Sequence, residues 1–215
     1  MVLFAAAPLF AQGSGNFAAT IATAQCAVND ATGELTGGIT GGTLQDTLIK
    51  TPNAGSTALV IRPSLVTGLF TRTKITSTEA VSAVAGVQVR VLIDDKVVAP
   101  GIPVGQVARP DDGYGWVYYD KRFQQLSSNL FSQITTCGTE TAPEVCYIEL
   151  VLSTLAAHSL DFVVGDVGGG EHTLTVEWRL TPSGATANEA ACVGPGVLTV
   201  QQVKTFSTGS GIVIQ

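Results

Sequence analysis

The sequence predicts an all-β fold, an antiparallel β-sandwich of jelly-roll type with at most one short helix. Three observations predict it. Leu174, Val176, Trp178 and Leu180 alternate with Thr173, Thr175, Glu177 and Arg179, the period of a strand with one buried face and one wet face. Val87, Val89, Val91 and Ile93 alternate in the same way with Gln88, Arg90, Leu92 and Asp94. Short apolar runs are separated by Gly- and Pro-rich turns, and few segments carry helix signals, which is the pattern of a sandwich or jelly roll.

The elements follow in order. Residues 17–26 (FAATIATAQC) suit a strand or a short helix, and a Gly/Thr-rich loop follows. Thr57 to Ile75 reads as strands broken at Pro63 and at Gly68, since proline removes a ladder donor and glycine weakens a strand interior. Asp94-Asp95-Lys96 reads as a hairpin turn into Val97-Val98, because Asp is favoured where the backbone turns sharply. Residues 99–113 form a Pro/Gly-rich connector, and Tyr114–Tyr119 (YGWVYY) is an aromatic strand. Phe123–Phe131 is the best candidate for a short helix or helical turn. The stretch from Tyr147 to Leu180 reads as two or three strands folded back on each other, with Gly168-Gly169-Gly170 at a turn. Gly194–Phe206 and the tail Gly211–Gln215 read as closing strands.

A chain of 215 residues suits one large β-domain, taken here as residues 13–215. Residues 1–12 are apolar and end near Ala11. They match the later part of a truncated signal peptide without its basic start, or else an N-terminal arm. No apolar run reaches the ~18–20 residues of a membrane-spanning helix. Charged residues make up 13% of the chain, against about 25% in average soluble domains, so apolar side chains fill either a large core or a surface covered by other chains. The net charge is −6 and the basic residues are scattered, which excludes the concentrated positive footprint of a nucleic-acid binder.

Four cysteines, Cys26, Cys137, Cys146 and Cys192, favour disulfides in an exported chain. Cys137 and Cys146 bracket a short polar loop, which leaves Cys26 for Cys192. No CxxC pair supports a zinc site, and no cofactor is implied.

The phrase GGGEHTLTVEWRL, through Gly170, His172, Thr173, Val176, Trp178 and Arg179, resembles the closing strand of extracellular β-sandwich domains. These are the jelly-roll globular heads of complement-type proteins and the tips of phage fibres. AHSLDFVV at 157–164 is similar to the strand that precedes it. The resemblance covers residues 147–180 and implies a secreted recognition or assembly module rather than an enzyme.

His158 and His172, with Asp161, Asp166 or Ser159, are the residue types of a hydrolytic triad, but no GxSxG elbow or equivalent accompanies them. Asp161, Asp166 and Glu171, or Asp111 and Asp112, offer carboxylates to calcium without the spacing of a known calcium loop; solvated turn chemistry explains them as well. Tyr114, Trp116 and Tyr118 share one strand face and form either core packing or a platform for sugar rings. In the platform, Asp111, Asp112, Asp120 and Gln124 would bond the hydroxyls.

The leading expectation is therefore a secreted or cell-surface, non-enzymatic structural or assembly protein. It would partner itself or other surface proteins, through an N-terminal arm (Phe4 to Ile21) or the C-terminal tail added to a neighbour's sheet edge. Those segments would equally complete the chain's own sheets. The alternative is a carbohydrate-binding module using the Tyr114–Tyr119 face, with polysaccharide as partner.

Overall fold

The computed structural model describes residues 16–28, 35–36, 41–52, 57–75, 81–98, 115–127, 129, 148–181, 189–207 and 212–214. These form thirteen strands: β1 (Phe17–Ala22), β2 (Ala27–Val28), β3 (Leu35–Thr36), β4 (Gly41–Thr51), β5 (Thr57–Ile75), β6 (Val81–Ile93), β7 (Lys96–Val97), β8 (Val117–Leu126), β9 (Ile148–Ser159), β10 (Phe162–Val167), β11 (Gly170–Thr181), β12 (Glu189–Ser207) and β13 (Ile212–Ile214). All the pairings are antiparallel. One sheet runs β1-β12-β5, with β10 and β9 sharing the far side of β5; the other runs β4-β11-β6, with β7 and β8 sharing the far side of β6. The two sheets face each other as an all-β sandwich. No helix among the described residues is long and apolar enough to cross a membrane.

The alternating residues supply the core. Val87, Val89, Val91 and Ile93 of β6 are buried beside Leu174, Val176, Trp178 and Leu180 of β11, facing Leu59, Ile61, Leu65, Leu69, Val193, Leu198 and Val200 of β5 and β12. Burying each large apolar side chain stabilises the fold by about 1.5–3 kcal/mol. The Trp178 indole N–H, which burial would otherwise leave unpaired, donates to the Gln25 side-chain carbonyl. The two-residue turn Asp94–Asp95 joins β6 to β7 with both residues at positive φ (47° and 62°), as the twist of a tight hairpin requires.

Four expectations are corrected. Thr57–Ile75 is one continuous strand of 19 residues, not several. Pro63 breaks nothing because it sits where the neighbour itself changes: Ile61 pairs with Phe162 and Ser64 with Ser159, so the residue without an N–H lies opposite the gap between β9 and β10. Gly68 does not break the strand either; it pairs with Cys192, and a Cβ there would stand 3.2 Å from the Cys192 Cβ. Second, Phe123–Leu126 continues β8 against Val81–Val84 rather than starting a helix, because cross-strand pairing outweighs local propensity; of the rest of that expected helix, Asn129 is helical and residues 128, 130 and 131 lie outside the described residues. Third, the aromatic strand begins at Val117, since Gly115 before it takes φ +82°, outside the extended region. Fourth, β10 and β11 are not folded back on each other: the turn at Gly168–Gly169 carries the chain from one sheet to the other.

Phe17–Ala22 is a strand, not a helix, and it pairs with β12 of its own chain; Ile212–Ile214 does the same at Thr205–Ser207. The segments considered as donors to a neighbour thus complete the chain's own sheet where they are described, and residues 1–15 lie outside the described residues. Cys26 and Cys192 form a disulfide with Cα atoms 5.5 Å apart; Cys137 and Cys146 lie outside the described residues. Gly194, two residues on, takes φ +89°, and a Cβ there would meet the Thr23 carbonyl oxygen at 2.4 Å. The chain can approach β12 this closely only because that position lacks a side chain.

Replacing Cys26 and Cys192 together by Ser should lower the unfolding free energy by about 2–5 kcal/mol, read as a fall in the urea midpoint. An unchanged midpoint would show that the bridge contributes nothing.

Candidate functional site

The aromatic segment does not behave as a simple strand face. Val87 pairs with Asp120 and Gln88 with Tyr118, so Tyr119 is an extra residue in a bulge. A bulge inverts which face the following residues occupy. Ahead of it, Tyr118 is 49% exposed; after it, Gln124 and Leu126 are buried. Tyr119 is itself core: its hydroxyl accepts the Leu65 N–H at 3.1 Å and donates to the Pro63 carbonyl at 2.8 Å, with the His158 carbonyl close by. Burial pushes its phenol up to about 12.

This phase shift corrects the roles foreseen for Asp120 and Gln124. Neither is presented to an outside ligand. The Thr67 hydroxyl donates to Asp120 at 2.7 Å, the Thr71 hydroxyl donates to the Gln124 side-chain carbonyl at 2.5 Å, and the Gln124 amide donates to the Leu150 carbonyl at 3.1 Å. These bonds join β8 of one sheet to β5 and β9 of the other. Tyr114, Asp111 and Asp112 lie outside the described residues.

Trp116 lies on the outer face of the β4-β11-β6 sheet. The Arg90 guanidinium is 4.6 Å and the Arg179 guanidinium 4.4 Å from its ring centroid, both within cation–π range. Arg90, paired across the strands with Glu177, is ion-paired to its carboxylate. Arg179 donates from Nε to the Gln88 side-chain carbonyl at 2.8 Å and has no carboxylate partner among the described residues. Burial, then the neighbouring Arg90 charge, hold the Arg179 guanidinium below its usual pKa. With Gly41 and Gly42 of β4 these groups line a shallow cleft of about 250 Å³. The Lys121 ammonium lies 4.7 Å from the Tyr118 ring.

The two histidines go elsewhere. His158 and Leu65 are register partners, as are Ser159 and Ser64. Successive residues point to opposite faces, so the His158 ring packs on Tyr119 at 5.8 Å and lies 3.3 Å from Asp120, away from the face carrying Ser64 and Ser159. His172 joins four chain segments. Its Nδ1 is 2.7 Å from Asp94, and its Nε2 is 3.0 Å from the Gly168 carbonyl and 3.2 Å from the Thr51 hydroxyl. Asp161 is occupied by Arg62 at 2.8 Å. Asp161, Asp166 and Glu171 do not form a cluster: among the described residues no group of three or more His, Cys, Asp or Glu is placed to hold a metal ion.

The feature that sequence reasoning missed is the edge at β9. It pairs with β5 along twelve residues, Ile148–Ser159, and has no other strand partner among the described residues. Val151, Leu152 and Leu155 are 41%, 39% and 70% exposed. Long apolar edges are ordinarily shortened, charged or covered. The only signal in the sequence was the run LVLSTLAA at 150–157, which reads equally as buried strand. No model of a known protein family matches the chain, and no curated protein matches it.

The His172 contacts predict a pH dependence. The hydrogen bond to Asp94 raises the His172 pKa above 6.5, against burial and with help from the Gly168 carbonyl. Burial pushes Asp94 up, but the bonds from His172 and the Thr173 N–H outweigh it and leave it below 3.8. The His172 contribution is therefore complete below its unfolded value and is lost as pH rises through the raised folded value. The melting temperature should fall as pH rises above about 6.5, and less so in Asp94→Asn. Parallel profiles for the two proteins would remove the pair as a source of stability.

Proposed function

We propose that this chain is a non-enzymatic structural or assembly subunit, exported to the cell surface or beyond, that associates edge to edge with copies of itself or with other surface proteins. The exposed apolar edge of β9 carries this reading. A neighbour's strand laid along it would satisfy the edge backbone and cover Val151, Leu152 and Leu155 together. The low content of charge fits a molecule whose apolar surface is covered in an assembly. The Cys26–Cys192 disulfide supports an oxidising compartment. Apart from the short β2, β3, β7 and β13, and with β9 and β10 taken as one interrupted strand, eight strands remain. In chain order they form sheets 1-8-3-6 and 2-7-4-5. That winding supports reading the sandwich as a jelly roll, as the resemblance to secreted recognition and fibre-tip domains implies. A second reading, a carbohydrate-binding module, has the support of half-exposed Tyr118 and of Trp116 at the rim of a cleft.

Light scattering coupled to size exclusion tests the first reading. The wild-type chain should form a defined oligomer or filament as concentration rises, and Leu155→Lys should remain monomeric. An exposed substitution shifts stability by about 0.5 kcal/mol or less, so its melting temperature should match the wild type. A wild-type protein that stays monomeric throughout would overturn self-association through this edge.

A further inference from the structure

We propose that the cleft beside Trp116 binds one carboxylate-bearing sugar residue of an acidic polysaccharide. The inference rests on the carbohydrate-binding reading and adds the charge class of its ligand. The cleft holds two cations, Arg90 and Arg179, against one carboxylate, Glu177, on a chain whose net charge is −6. Arg90 is spoken for by Glu177. Among the described residues Arg179 is hydrogen-bonded only through Nε to Gln88, which leaves the remaining N–H groups of its planar fork for a ligand. A guanidinium fork matches a carboxylate in a bidentate pair. Nearby Arg90 repels Arg179, and an arriving anion relieves that repulsion.

Size and shape select a ring within a longer chain. The volume of about 250 Å³ is below the roughly 300–1,000 Å³ of pockets that enclose a whole small molecule. One rim is made by Gly41 and Gly42, and a Cβ added at Gly42 would meet nothing within 4 Å. The space over Gly42 is therefore open to a longer chain. Trp116 supplies an indole at the cleft, the group on which sugar rings pack through their apolar faces. Glu177, as acceptor, is placed to take hydroxyl groups, while its own charge is already balanced by Arg90.

Indole fluorescence reads this site in the wild-type protein. Both tryptophans line the cleft, but Trp178 is 1% exposed and its indole is in the core, whereas Trp116 is half-buried and open to a ligand. Titration with a polyuronate oligosaccharide should change the emission saturably, whereas the neutral oligosaccharide of the same linkage should bind at least about tenfold more weakly, the worth of one charge-assisted hydrogen bond. Arg179→Gln, with melting temperature as its folding control, should remove that preference; Arg179→Lys should restore part of it. Equal binding of the neutral and acidic sugars would overturn the charge class and leave the carbohydrate reading standing. Binding of neither would overturn both. An equal response to acetate alone would overturn the sugar. Should Arg179→Gln fail to fold, loss of the acidic-sugar response in high salt on the wild-type chain tests the same contact, and a salt-independent response overturns it.

Discussion

The antiparallel register of β5 with β12 is the constraint on which the rest of the sandwich depends. Both strands run 19 residues, and they pair from Thr57 with Lys204 to Thr71 with Glu189. Side chains alternate with a period of two, so a slip of one residue would carry Leu59, Ile61, Leu65 and Leu69 out of the core at once. Gly68 opposite Cys192 helps to pin the register, because the pair fits closely there. Every other strand of that sheet docks on this pair, β1 and β13 on β12, β9 and β10 on β5.

The two open sides of the sandwich are closed by different chemistry. At the β1–β4 side the Gln45 amide donates to the Thr20 hydroxyl at 2.6 Å, and the Gln25 amide donates to the Thr43 carbonyl at 3.0 Å. The disulfide and the Trp178–Gln25 bond lie on the same side. At the β8–β9 side the closure is the Thr67 and Thr71 hydroxyls meeting Asp120 and Gln124, with the Tyr119 hydroxyl among the backbone groups of Pro63, Leu65 and His158. Buried polar bonds of this kind add little net energy, about 0.5–1.5 kcal/mol each. Their geometry is strict, however, and an unsatisfied hydroxyl in that seam would cost more than the bond contributes. The seam therefore holds β8 in one place beneath the exposed edge of β9.

The fold was legible in the sequence wherever a strand keeps one phase from end to end. Val87–Ile93 and Leu174–Leu180 read correctly, as did the Asp94–Asp95 turn, because period two and turn chemistry are local. What failed were the features that depend on a distant strand. Pro63 reads as a break until one sees that its neighbour is interrupted opposite it. Asp120 and Gln124 read as companions of Trp116 and Tyr118 until the bulge at Tyr119 inverts the face, and a bulge is defined by two strands together. Arg90, Glu177 and Arg179 were visible only as the wet side of two separate alternations; their meeting with Trp116 needs the pairing of β6 with β11 and the entry of β8. The β9 edge was hidden for a similar reason, since an apolar run does not state how many of its sides are covered.

The disulfide restricts which of its own strands the molecule could lend to a neighbour in the assembly proposed above. Cys26 follows β1 and Cys192 lies in β12, so the first and last long strands of the sandwich are covalently one unit. Subunits of many assemblies trade a terminal strand, each lending its own to the next. Here the loan is blocked while the bridge is oxidised: β1 cannot leave β12 without taking its cysteine along. In an assembly of the kind proposed, growth would then add whole, closed sandwiches at exposed edges, each bringing the same edge with it. Reduction would change the topology of association, by freeing a strand that could be exchanged.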